Sequence, residues 1–398
     1  MRSLLILGGS AFQVPAIRRA RELGHRVITC DYLPGNPGHA LAHQYLNIST
    51  TDQASVLAAA GQLGIDGVLA YASDPAAPTA AYVAAGLGLP GCPPEAVHRL
   101  TDKAAFRAHL SAHGFNGPRF EEVRNAAEAE VAARRIGYPV IIKPCDSSGS
   151  KGVSRVTAAT QIPGAIRDAL SCSRSSRVIV ERWVTRRGQQ VAGDGLVLGG
   201  RTVFACFGDE RFDPVCSDIA PAGESFPGHL EGPCRTRLIA QLDTLFKTLD
   251  VRDLVFNLDA MIDEDGEPLI IEIGARAGGN CLPQVIEAHT GVDLTTIAIR
   301  LALGEPIDPQ AVSGRPRGFH ASWMIHARTD GHLREYHMAE ELRPFLTALD
   351  FLVAPGAPVR KFSSSSDTLG YACFAFPDEA SMHTTLSAMG ELIGASTR

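Results

Sequence analysis

Two runs of alternating apolar and polar residues, Leu254–Ile262 and Leu269–Gly274, flank the dipeptide Asp265-Gly266. Period-two alternation marks strands, and Asp-Gly is a favoured two-residue hairpin loop. Counting outward from that loop pairs Glu264 with Glu267, Ile262 with Leu269, Ala260 with Ile271, and Asp259 with Glu272. Facing Cβ atoms in such a ribbon lie about 4.5–5.5 Å apart, and like charges at that distance destabilise a sheet. A divalent cation between the two carboxylates removes the conflict, so the pattern points to a Mg²⁺-dependent site. A protonated carboxyl, or a solvated hairpin in slipped register, is the alternative.

The same register places Asn257 and Asp259 on one face with Glu272 and Gly274. Phe256, Leu258, Ala260, Leu269, Ile271 and Ile273 then form the core-facing side. Arg276 points toward the carboxylates if the strand continues. An oxygen-ligated cation with an arginine beside it suits a phosphate group.

A chain of 398 residues has room for two or three domains. A net charge of −6 argues against nucleic acid or an anionic membrane as partner, and no apolar run reaches the length of a membrane span. The apolar stretch after Met1-Arg2-Ser3 runs into Gly8-Gly9 too soon for a signal peptide. Nine cysteines without a C-x-x-C pair suit reduced thiols, hence a cytoplasmic protein. Only five residues are lysine, and three of them, Lys103, Lys143 and Lys151, fall in segments singled out below.

Leu4–Leu7, a helix over Gln13–Leu23, Arg26–Asp31, a helix over Gln53–Leu63 and Val68–Tyr71 alternate as βαβ units, which predicts a parallel sheet. Asp31 stands where a ribose-binding acid would, but Gly8-Gly9-Ser10-Ala11-Phe12-Gln13 lacks the later glycines of a dinucleotide fingerprint. Near Pro90–Pro94 the chain changes character, and Asp102-Lys103 opens a helix running to about His113. Between Arg119 and Glu181 two short βαβ-like halves, joined by a glycine-serine loop, suggest a small lid. Helix Cys234–Leu249 precedes the hairpin and helix Leu282–Ala288 follows it. Beyond Val312 the chain is rich in Pro, Gly and Ser, with Leu369–Phe376 as its one clear strand.

In the loop Asp146–Gly152, small residues let backbone N–H groups turn toward one concavity that favours phosphate oxygens. Lys143 and Lys151 add positive charge there, each pair being worth about 4 kcal/mol at 4 Å and an effective dielectric of 20. An ordinary flexible loop explains the composition equally well. The strand Val178–Glu181 exits at Trp183 and Val184, offering apolar walls and backbone groups to an adenine edge, with Gln190 within reach of a ribose. Clusters of His and Cys at metal-ligand spacing, a Ser-His-Asp arrangement and a G-x-S-x-G elbow are absent from the sequence.

Taken in order, Thr101-Asp102-Lys103, Gly137–Pro144, the Gly/Ser loop with Lys151-Gly152, Val180–Val184, Asp259 and Glu272–Arg276 resemble the ATP-grasp superfamily, in its carboxylate–amine or L-amino-acid ligase branch. The resemblance implies an α/β ATP-grasp fold with a Rossmann-like N-terminal (pre-ATP-grasp) domain over 1–97 and an ATP-grasp core over 98–310. Within the core a small α+β lid spans about 118–184, and a C-terminal lobe over 311–398 completes the larger α+β subdomain. It implies ATP and Mg²⁺ as cofactors. Lys103, Lys143, Ser147, Ser148, Gly149, Ser150, Gly152, Glu181, Trp183, Val184 and Gln190 correspond to nucleotide-binding positions. Asp259 and Glu272 correspond to metal ligands, Arg276 and Lys151 to catalytic groups, and Arg276, Gly278, Gly279 and Asn280 to the substrate side.

Gly274 departs from the family, which has Asn there. Asn257 lies across from it and is expected to supply the missing oxygen, with Asn280 as competitor. The implied reaction activates a small carboxylate as an acyl-phosphate and couples it to an amine, with small-molecule partners and a homodimer as the commonest assembly. Bicarbonate activation, a catalytically silent nucleotide-binding module and a nicotinamide oxidoreductase are the rivals.

Overall fold

The computed structural model describes the backbone of residues 1–398. Its first sheet is parallel, in the order β3-β2-β1-β4, from β1 (Ser3–Leu7), β2 (Arg26–Cys30), β3 (Gln44–Leu46) and β4 (Gly67–Ala70). Helices α1 (Val14–Glu22), α2 (Gln53–Leu63) and α3 (Ala77–Leu87) connect and follow these strands. The oxygens of Asp31 are taken by the Gly9 and Leu33 amides and the Asn36 side chain. His39 fills the space over Gly9, so the first turn is packed by protein. Helices α4 (Pro94–Thr101) and α5 (Lys103–Ala112) lead onward, and the Asp102 carboxylate caps α5 by accepting from the Ala105 amide at 2.9 Å.

The next unit contains β5 (Phe120–Val123), α6 (Ala126–Ile136), β6 (Val140–Pro144), β7 (Ser154–Val156), α7 (Ile162–Cys172) and β8 (Val178–Arg182). Its sheet, ordered β5-β8-β6-β7, is antiparallel throughout, which corrects the βαβ-like halves expected from sequence. The helix between β5 and β6 crosses to a non-adjacent position, with β8 filling the gap, so helix–strand alternation did not mean parallel pairing.

An eight-stranded sheet forms the large lobe, in the order β13-β12-β9-β10-β11-β14-β18-β16. It is built from β9 (Arg187–Leu198), β10 (Arg201–Arg211), β11 (Gly223–Phe226), β12 (Leu254–Ile262), β13 (Pro268–Gly274), β14 (Phe319–Ile325), β16 (Leu346–Phe351) and β18 (Gly370–Phe376). Helix α8 (Gly232–Thr248) packs Leu238, Leu242, Leu245 and Phe246 against Phe256, Leu258 and Ile273. Helices α9 (Leu282–Thr290) and α10 (Leu294–Ala302) share a core with Leu4, Ile6 and Ile17, and the Tyr71 hydroxyl meets Thr295 Oγ1 at 2.8 Å. This shared core fixes the end of β4 over the large sheet.

Beyond residue 312 the expectation of a single clear strand is wrong. Strands β14, β15 (Gly331–Met338), β16, β17 (Pro358–Val359) and β19 (Ile393–Thr397) join β18, with helix α11 (Glu379–Leu392). Most of these are short or one-sidedly exposed, and β15 and β16 carry charged residues facing solvent, which masks the alternation.

Candidate functional site

Strands β12 and β13 pair with Asp259 opposite Glu272, Leu258 opposite Ile273 and Asn257 opposite Gly274. The route to that register differs from the one expected. The Asp263 amide donates to Glu267 O, and the Asp263 side chain accepts from the Asp265 and Glu267 amides. The loop therefore holds three residues, Glu264-Asp265-Gly266, with Gly266 at φ +85°. Ala260 faces Ile270, Met261 faces Leu269 and Ile262 faces Pro268, and a bulge at Ile271 restores the offset before Glu272. Leu269 and Ile271 consequently turn away from the core, where Ile270 sits instead, and line the site beside Met261.

These residues border one cavity of about 590 Å³. Its wall brings together Lys103, Lys143, Ser147, Ser148, Gly149, Ser150, Lys151, Glu181, Trp183, Val184, Gln190, Asn257, Asp259, Glu272, Arg276, Gly279 and Asn280. Gly152 and Gly278 stand outside it. Gly152, at φ +69°, closes against the backbone of α7, and Gly278 donates its amide to the buried Asp194 carboxylate at 2.9 Å.

Glu181, at the end of β8, is 4% exposed and accepts from Arg107 Nε and Lys143 Nζ, both at 2.8 Å. Burial raises the cost of its charge, but the two cations outweigh it and hold the carboxyl near 2. Lys143 fares differently. Burial lowers its pKa and Glu181 only partly compensates, because Arg107 and Lys103 also oppose its charge. Arg107, Glu181 and Lys143 thus form a buried triad with one positive charge in excess. Arg107 lies one helical turn after Lys103, and that i,i+4 spacing was the available signal for it.

Lys103 Nζ donates to Ser147 O at 2.7 Å and to Glu272 Oε1 at 3.2 Å, tying helix α5 to the loop and to β13. Burial opposes its charge, and Glu272 more than offsets this, so its pKa is raised. Gly149 O accepts the Ser365 amide at 3.0 Å, so the serine-rich segment of the last lobe latches the loop. A Cβ at Gly149 would come within 2.0 Å of Ser365 Oγ.

Arg276 lies beyond the end of β13 and reaches into the first domain, with Nη2 on Asp74 Oδ2 at 2.5 Å. Asp74 follows β4 at the carboxyl end of a parallel sheet, where crevices form, and that placement was a missed signal. The pair explains the departure at Gly274: a Cβ there would lie 2.9 Å from Arg276 Cζ and 3.0 Å from Asp74 Oδ1. The volume an asparagine would fill is occupied by the ion pair. Asn257 faces the cavity with its amide nitrogen held by Gly193 O (3.1 Å) and Asp194 Oδ1 (3.0 Å), whereas Asn280 Nδ2 reaches Glu224 Oε1 at 3.4 Å.

Asp259 makes no ion pair with any described residue, and burial followed by repulsion from Glu272 pushes it up to about 7. Burial likewise raises Asp194 to about 6 and Glu224 to about 7. An all-oxygen pair in which Asp259 has no cationic partner and Glu272 shares only Lys103 fits a hard divalent cation. Asp213, Cys216 and His326 converge from distant segments, a grouping that sequence spacing does not show. Arg328 (2.8 and 3.2 Å) and His326 (3.1 Å) already occupy the Asp213 carboxylate, which makes that group a buried ion network. Among the described residues no helix is long and apolar enough to cross a membrane.

A family model for the D-ala D-ala ligase C-terminus matches residues 110–296. The uncharacterized protein y4rH of Sinorhizobium fredii is 25% identical over 323 residues, 79% of this chain and 65% of that protein. The carbamoyl phosphate synthase large chain of Streptomyces avermitilis is 30% identical over 229 residues, 56% of this chain. The match spans less than two thirds of either relative, and only 20% of the synthase chain. Among solved structures, the L-amino acid ligase from Bacillus licheniformis superposes with a TM-score of 0.83 at 19% identity, covering 100% of this chain and 99% of that one. A sequence match over residues 110–296 and a likeness over the whole length of the chain give it the ATP-grasp fold.

Proposed function

We propose that this protein is an ATP- and Mg²⁺-dependent ligase that activates a small carboxylate, an amino acid or related acid, as an acyl-phosphate and couples it to an amine, releasing ADP and phosphate. The observation that carries this is the meeting, in one cavity, of a buried triad with excess positive charge, two facing carboxylates and Arg276 beneath a latched glycine-serine loop. When bound, Mg²⁺ would be held by Asp259 and Glu272 and would neutralise phosphate charge, with the third oxygen assigned here to Asn257. Lys143 and Arg107 offer their uncompensated charge to the phosphates, and Trp183, Val184, Met261 and Leu269 supply the apolar walls for a base. Arg276, steadied by Asp74, stands ready for the phosphoryl group in transfer or for the acyl-phosphate. The loop Ser147–Lys151 excludes water that would hydrolyse the intermediate.

The test is ADP release together with hydroxylamine trapping across amino acids and small organic acids. A stable hydroxamate that depends on ATP and the added acid is the expected result. ADP release that depends on bicarbonate alone, with no hydroxamate from any organic acid, would replace this reading with carboxylase-type chemistry.

A further inference from the structure

Strands β10 and β11 pair Glu210 with Glu224, so their Cβ atoms lie about 4.5–5.5 Å apart on the cavity side of the sheet. Both are deeply buried, at 2% and 4% exposure, and neither makes an ion pair with any described residue. Glu224 is partly satisfied, accepting from Ser322 Oγ at 2.6 Å and Asn280 Nδ2 at 3.4 Å. Glu210 is not: its Oε2 is buried and accepts no hydrogen bond. The next carboxylate along β10 shows the contrast. Asp209, pointing to the other face, is held by the His229 amide and ring and lies 3.6 Å from Arg211.

A bare buried carboxylate beside a second one is costly unless it takes up a proton or a positive group arrives. The shape of this end of the cavity says which cation. Asn280, which borders Glu224, shares the cavity wall with the apolar Phe12, Ala72 and Leu282, and Phe12 packs on Tyr371 at 6.2 Å between ring centres. One bare oxygen and a half-satisfied partner in a cavity with apolar lining suit the three N–H donors of an alkylammonium group better than a strongly hydrated metal ion.

We propose that Glu210 and Glu224 form the seat for a primary ammonium group of the substrate. The ligand class is an aliphatic amine or amino acid bound as its cation, and the site sits in the acid-lined half of the cavity. This deepens the ligase reading and rests on it for the word substrate. The ammonium belongs either to the activated amino acid or to the acceptor amine, which would give up one proton to a carboxylate of the pair before its nitrogen attacks and phosphate leaves, and the assays below separate the two.

The first experiment needs no turnover. Protein saturated with MgADP is titrated with n-butylammonium chloride, and with n-butanol as the neutral isostere, while the melting midpoint is followed. Saturable stabilisation by butylammonium alone is expected, with affinity weakened on the order of tenfold or more in Glu210→Gln and in Glu224→Gln. Retained MgADP binding shows that each variant is folded. Equal responses to the two probes, unchanged affinity in both variants, or saturation by excess Mg²⁺ that depends on Glu210 would overturn the proposal. The second experiment compares hydroxamate formation from amino acids and from the matching 2-hydroxy acids. A preference for the amino acid that vanishes in Glu210→Gln assigns the ammonium to the activated acid. Indifference there, with Glu210-dependent coupling to an added amine, assigns it to the acceptor. Butylammonium binding without any hydroxamate would leave the cation seat standing and remove the ligase reading. Hydroxamate formation with no ammonium preference on either substrate would do the reverse.

Discussion

Glu181→Gln tests whether the buried triad is held by charge. A carboxyl that titrates near 2 in the folded protein and at its ordinary 4.5 when unfolded contributes about 3 kcal/mol at neutral pH. The residue is 4% exposed, so solvent screening takes little from that figure. A second route gives a similar size: removing one partner of a buried ion pair costs about 3–5 kcal/mol, because Arg107 and Lys143 are left without an anion. Since the folded pKa lies below the unfolded one, the contribution is complete above pH 4.5 and is lost as pH falls through about 2. The gap between wild type and variant should therefore be about 3 kcal/mol at pH 7, about half that near pH 3, and nearly closed at pH 2. Urea unfolding followed by fluorescence reports on Trp183 beside the lid and Trp323 in β14, so separate melting of the two parts would show as two transitions. A variant with an unchanged midpoint at pH 7, or a gap that stays constant down to pH 3, would refute the account.

Lys143→Met should leave the melting midpoint of the nucleotide-free protein unchanged or slightly raised, since burial and two neighbouring cations already oppose its charge. The same variant should lose most of the stabilisation that MgATP gives wild type, read by thermal shift. Gly149→Ala places a methyl against Ser365 and strains a residue at φ +66°, so it should raise the KM for ATP several-fold and speed proteolysis of the loop with little effect on global stability. Gly274→Asn should cost about 1–3 kcal/mol by displacing the Arg276–Asp74 pair, with lower kcat and no gain in Mg²⁺ affinity by titration calorimetry.

Legibility in the sequence followed the range of the interactions. Strand alternation and facing carboxylates are local, and they located Asp259 and Glu272 although the loop was misjudged by one residue. The misjudgement shows why register is hard to count: the Asp263 side chain selects a three-residue loop, and a bulge at Ile271 cancels the error. The lysines and the small-residue loop were legible because composition singles them out. Asp74, Arg107, Glu210 and Glu224 were not, because each matters only through a partner 74 or more residues away in the chain or across a sheet whose strands gave weak alternation. Glu210 lies on an 11-residue strand whose edges are polar, so nothing in its immediate neighbours separates it from Asp209.

One cavity therefore has two electrical ends. Around Glu181 the described charges sum to one positive in excess, and Lys151 adds another close by. Around Glu210 and Glu224 two carboxylates face the same space with no ion-pair partner, beyond Asp259 where Mg²⁺ would be held. The Lys103–Glu272 and Arg276–Asp74 pairs, each neutral, stand between them. A protein serving only to bind a nucleotide has no use for the second end, since bare buried carboxylates lower its stability and repel phosphate. Bicarbonate, an anion, would be repelled there as well. The arrangement suits a reaction that brings a polyanion and an ammonium compound into one enclosed space, with Arg276 between them where an acyl-phosphate would form.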